Sequence, residues 1–165
     1  MPELIFVAAV LVYAVAAAQD LRQRRISNLL CVAILILGLA RWIMPMQLDA
    51  GAWALGTGAA VFVVGTIFFH LGWLGGGDVK LLAASVVLLG VSGTPDFLVL
   101  MSILGGVLAL VVLMHDRLRR LVKAARQGDA AAAEDGSAQR KIQLPYGVAI
   151  AIAAPVILFL QHQRA

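Results

Sequence analysis

Two of the nine acidic residues stand where an acidic residue is expensive. Asp20 closes the first apolar run, in "AVAAAQDLRQRRISN", and Asp78 opens the fourth, in "GWLGGGDVKLLAA". A carboxylate against membrane-type sequence is rare without a partner or a task. Two carboxylates that meet cannot both ionise comfortably, so one keeps a proton while the other acts as a base. The charged member can deprotonate a water, and the protonated member can polarise a carbonyl. That is peptide hydrolysis with no metal and no covalent intermediate. The bland readings are that Asp78 caps a helix N-terminus and that Asp20 pairs with Arg22 or Arg24. Gly75, Gly76 and Gly77 argue for more than a cap, because side-chain-free backbone suits a place that something must approach closely.

The other acidic residues have ordinary settings. Glu3, Asp49 and Asp96 fall in one set of short polar segments, and Asp116, Asp129, Glu134 and Asp135 fall in one long one. His70, His115 and His162 are scattered with no second ligand one helical turn away, so no metal site is expected. "GGGDVK" lacks the spacing and the hydroxyl of a phosphate-binding loop. No serine has a nucleophile-elbow setting. Cys31, the single cysteine, cannot form an internal disulfide and reads as a small apolar residue. No cofactor is expected.

The elements that must position the two aspartates follow from composition. The chain has 165 residues, 62% of them hydrophobic and 13% charged, with a mean hydropathy of +0.95. A soluble domain carries roughly a quarter charged residues. The apolar residues come in blocks, about 4–18, 29–43, 50–69, 79–91, 97–114 and 146–160. The expected fold is all-α, one polytopic membrane domain over residues 1–165 with six transmembrane helices. The fourth block is too short for a crossing of roughly 20 residues, so its ends should lie inside the bundle. "MPEL" carries Glu3 and no basic residue, so the first block reads as a retained helix rather than a cleaved signal.

Six crossings sort the basic residues sharply. Segments 20–28, 70–80 and 115–144 hold 11 of the 13 Lys and Arg, leaving Arg41 and Arg164 on the other side. The positive-inside rule makes the first set cytoplasmic and both termini periplasmic. Asp20 and Asp78 then share the cytoplasmic edge. The basic excess behind the pI of about 9.8 is accounted for by topology and inner-leaflet lipid, not by nucleic acid. Residues 115–144 read as a basic helical extension followed by a flexible Ala-rich stretch. Helix dipoles favour charge on Asp78, at a helix start, over Asp20, at a helix end; the arginines near Asp20 push the other way.

These residues resemble a known pattern. "DLRQRRISNLL" at 20–30 and "GGGDVKLLAA" at 75–84 are similar to the two aspartate motifs of the type IV prepilin peptidases, membrane aspartyl proteases of the G-x-G-D type. "LPYGVAIAIAAP" at 144–155 resembles the start of the family's last helix. In particular the chain looks like the short form that serves Flp-type, tight-adherence pili. The resemblance implies a bacterial inner-membrane hydrolase whose active site faces the cytoplasm and which removes the leader peptide from prepilins. It implies Asp20 and Asp78 as the catalytic pair, Gly75 and Gly77 as motif glycines, and Lys80 as a motif residue with either a topogenic or a substrate-facing role. Ser27 stands where many members have Pro, and can cap the second helix equally well. Larger members carry a cysteine-bearing cytoplasmic segment linked to N-methylation; with Cys31 alone, a peptidase without methyltransferase activity is expected. Two other readings stand beside this one: a presenilin-like intramembrane protease, and a small transporter or assembly subunit that cuts no bond.

Overall fold

A computed structural model describes residues 2–23, 25–127 and 146–164. Most of the long polar segment, including Asp129, Glu134, Asp135, Arg140 and Lys141, lies outside the described residues, as do Arg24 and Leu144–Pro145. All regular structure among the described residues is helical: α1 Pro2–Gln23, α2 Asn28–Ile43, α3 Leu48–His70, α4 Gly76–Gln127 and α5 Tyr146–Arg164. Four helices contain a stretch long and apolar enough to cross a membrane, namely Glu3–Gln23, Leu48–His70, Gly76–Arg119 and Tyr146–Gln163. α2, at 16 residues, is shorter.

The expectation of six separate helices is therefore modified at α4, which runs through the boundary between the fourth and fifth apolar blocks. Its 52 residues would reach about 78 Å if straight, more than twice a bilayer core. The chain instead reverses at Gly90 (φ 74°, ψ 179°), a conformation essentially reserved for glycine. The contacts on either side establish the reversal. Gly65 and Gly58 of α3 pack against Val79 and Val87, so α3 runs antiparallel to the first limb, 76–89. Gly105 packs against Tyr146, and Gly93 against Gln161, so the second limb, from 91, runs back antiparallel to α5. The expected break over 92–96 thus falls slightly earlier. Pro95 lies near the start of the second limb, where its missing N–H withdraws a partner from the Val91 carbonyl alone.

The reversal satisfies its own backbone. A helix end leaves its last carbonyls without partners. Here the Trp42 indole N–H donates to Val87 O at 2.8 Å, and Gln161 Nε2 donates to Leu89 O at 3.1 Å. Arg41 in turn donates to Gln161 Oε1 at 3.2 Å. The Thr94 hydroxyl donates to Gly90 O at 2.8 Å. Side chains from α2 and α5 thereby close a turn that the local sequence could not close alone.

The first limb of α4 is the centre of the bundle. Leu81, Leu82, Val86, Leu88 and Leu89 are all buried, packed among Ala9, Tyr13 and Ala16 of α1, Ile34 of α2 and Ile150, Ala153 and Ala154 of α5. A helix that is apolar on every side belongs in such a position, which explains how so short a block is tolerated. A buried polar pair crosses this core: the Tyr13 hydroxyl donates to Ser85 Oγ at 2.8 Å, while Ser85 donates to Leu81 O. Exposed apolar side chains cover the outside, among them Leu11, Ile36, Val63, Ile67 and Val111. That surface suits hydrocarbon rather than water.

Candidate functional site

One end of the bundle gathers the C-terminal turn of α1, the start of α2, the first turn of α4 and the first turn of α5. Asp20 does not end α1; the helix continues to Gln23, and Asp20 lies within its last turn. Its side chain is 5% exposed and accepts the Val148 N–H at 3.1 Å. Asp20 is thus turned inward to α5, not outward into a solvated loop.

Asp78 is likewise not the residue that caps α4. Gly75 occupies that position, its carbonyl accepting the Val79 N–H at 3.1 Å. Asp78, three residues on, reaches back to the Gly75 backbone, as the acidic residue of a capping box does. A methyl group at position 75 would lie 2.8 Å from Asp78 Oδ2. The second glycine has a different reason. A methyl group at 77 would lie 3.2 Å from Ile26 Cβ and 3.4 Å from Ile26 O. Gly77 O is also met by Cys31 Sγ at 3.8 Å. At Gly76 the nearest neighbour would be the Phe69 ring at 3.4 Å, an ordinary contact. The glycines thus admit the protein's own atoms: a carboxylate at 75 and the α1–α2 linker at 77.

Asp20 and Asp78 come close enough for their charges to act on each other. Ile26 helps bring their elements together, since its backbone and Cβ face Gly77 and its Cδ1 lies 2.6 Å from where a methyl group at Gly147 would be. The linker is itself fixed: Ser27 caps α2 by accepting the Leu29 N–H at 3.2 Å, and its own N–H donates to Gln19 Oε1 at 3.2 Å. Lys80 Nζ donates to Asn28 Oδ1 at 2.9 Å, tying the first turn of α4 to the start of α2.

The dipole balance at Asp20 is therefore not set by α1 alone: the N-terminus of α5 faces the same carboxylate and favours negative charge there. Ile26, Gly147 and Val148 were not among the expected site residues. A glycine at the start of an apolar helix, on the face that carries both aspartates, was the available signal.

A cleft of about 500 Å³ opens between α2, α3 and the first limb of α4. Asn28 and Lys80 form its polar end; Val32, Leu55, Phe62 and Val87 line the remainder, with Gly58 and Ala59 among its small residues. Among the described residues no group of three His, Cys, Asp or Glu side chains converges as a metal site would require.

An all-helical bundle sheathed in apolar side chains, with two carboxylates brought together at one end, has the form of a polytopic membrane protein with a polar site at the edge of its core. A model of the type IV leader peptidase family matches residues 5–110, and the chain belongs to that family of peptidases. The match includes both aspartates, α2, α3, nearly all of α1 and α4 as far as residue 110; α5 lies beyond it. No curated protein and no solved structure matches the chain.

Proposed function

We propose that the protein is a membrane aspartyl endopeptidase that removes the leader peptide from prepilins, with Flp-type pilin precursors as the substrate class. Asp20 and Asp78 are its catalytic pair. The observation that carries this reading is the convergence, in a member of a leader peptidase family, of these two carboxylates at one end of the bundle. In the reaction, one carboxylate is charged and removes a proton from water as its oxygen attacks the scissile carbonyl carbon. The other, protonated, donates to the carbonyl oxygen. Collapse of the tetrahedral intermediate breaks the C–N bond, and the amine leaves with a proton returned from the pair. Membership of a leader peptidase family favours this chemistry over a transporter.

The topology that fits is six passes with both termini periplasmic and the site at the cytoplasmic face of the inner membrane. The pattern of contacts supports it: the end holding Asp20 and Asp78 also carries Arg22, Arg25 and Lys80, whereas Phe6, Arg41, Gly90 and His162 gather at the opposite end. The positive-inside rule orients such a bundle. The cleft runs from a polar end at Asn28 and Lys80 into apolar lining, which suits a substrate whose cut site directly precedes an apolar helix. The Flp assignment rests on the motif resemblance.

The test is Asp20→Asn and Asp78→Asn, each co-expressed with a small pilin precursor, with membrane insertion measured in parallel. Each variant should accumulate in the membrane at the wild-type level and leave the precursor uncut. Normal processing by either variant would refute the assignment.

A further inference from the structure

The buried contact between Asp20 and α5 joins the site to a helix beyond the family match, which ends at residue 110. Val148 lies in the first turn of α5, so its N–H is one of the four that a helix cannot satisfy internally. It is satisfied by Asp20 Oδ2 at 3.1 Å, 128 residues away in the chain. The approach is possible because position 147 has no side chain. A methyl group there would lie 2.8 Å from Asp20 Oδ2 and 2.9 Å from its Cγ, distances that side chains do not adopt. It would also lie 2.6 Å from Ile26 Cδ1, the side chain that links this turn to Gly77 and the start of α4.

We propose that the first turn of α5 is a positioning element of the active site: Gly147 admits the Asp20 carboxylate, and the Val148 N–H fixes its orientation toward Asp78. This inference rests on Asp20 being one of the catalytic pair. Holding one carboxylate oxygen fixes the direction of the other, which a two-carboxylate mechanism requires to within a fraction of an ångström. The N-terminal end of the helix adds a favourable field at the same oxygen. The α5 amide adds a fixed backbone partner to a side chain that is already buried.

The competing account is that Asp20 merely caps α5, and the two make opposite forecasts for Val148→Pro. Proline is tolerated in a first helical turn and has no N–H to satisfy. If Asp20 is only a cap, this variant no longer needs it, and both stability and activity persist. If the amide positions Asp20, kcat falls by about 10- to 100-fold, the range for one hydrogen bond to a charged group, while KM is unchanged. Gly147→Ala should give the same split by pushing the carboxylate away. The measurement is steady-state cleavage of a synthetic pilin precursor by each full-length variant in detergent, with thermal unfolding followed alongside. Wild-type kcat in both variants would overturn the proposal. Loss of folded protein in both would overturn it too, because the contact would then serve the fold and not the carboxylate. Asp20→Asn in the same assay separates the levels. If it stays active, the catalytic reading has failed. If it is inactive while Val148→Pro and Gly147→Ala cut normally, only the positioning role has failed.

Discussion

Three adjacent glycines precede Asp78, and the structure forecasts three different responses to the same added methyl group. At Gly75 the methyl would lie 2.8 Å from Asp78 Oδ2, so the carboxylate must recede by about half an ångström or leave its rotamer at a cost of about 0.5–1.5 kcal/mol. It also gives up its reach to the Gly75 backbone, a hydrogen bond worth about 0.5–1.5 kcal/mol. A displacement of about 1 Å at a reacting group can cost 100-fold in rate, so half of that should cost Gly75→Ala at least about tenfold in kcat. Gly76→Ala meets only the Phe69 ring at 3.4 Å and should retain wild-type kcat. Gly77→Ala presses on Ile26 at 3.2 Å and should fall between them, because the linker can give by a few tenths of an ångström. The assay is precursor cleavage by the three purified variants at saturating substrate, with unfolding temperature measured on the same samples. A Gly75→Ala protein with wild-type kcat, or a Gly76→Ala protein as impaired as Gly75→Ala, would refute the claim that Gly75 exists to make room for the carboxylate.

Gly90→Ala should destabilise the protein by about 1–3 kcal/mol from backbone conformation alone. More follows because the methyl group would lie 2.6 Å from the Trp42 ring; thermal unfolding read by tryptophan fluorescence checks it. Ser85→Ala and Tyr13→Phe remove the same 2.8 Å bond from opposite sides. Ser85→Ala leaves the fully buried Tyr13 hydroxyl without its acceptor and should cost about 1–3 kcal/mol. Tyr13→Phe leaves the Ser85 hydroxyl still bonded to Leu81 O, so a smaller loss, about 0.5–1.5 kcal/mol, is expected in the same unfolding measurement. Ala59→Phe places a ring in the cleft from an exposed position and should raise KM several-fold while kcat and unfolding temperature stay unchanged; an unchanged KM would mean that substrate does not use the cleft.

Much of this protein was legible in one dimension because lipid is a demanding solvent. Long apolar blocks in a membrane become helices, since only a helix satisfies every backbone group within a single segment there. Blocks interrupted by basic segments also specify which helix ends lie together. Asp20 and Asp78 could therefore be assigned to one edge from charge placement alone, and the short fourth block could be assigned to the interior. What the sequence could not determine is what surrounds each carboxylate. Asp20 looked like a helix-end residue beside arginines, yet it is turned onto the Val148 N–H of a helix that begins 126 positions later. Gly75 and Gly77 looked like one open surface, yet one accommodates Asp78 and the other Ile26. The hydropathy break between the fourth and fifth blocks fell over 92–96, yet the turn is at the single residue Gly90, closed by Trp42 and Gln161. Solvent and charge act on each segment separately and can be read along the chain. Hydrogen bonds and close contacts between distant segments depend on which faces meet, and only the packed bundle decides that.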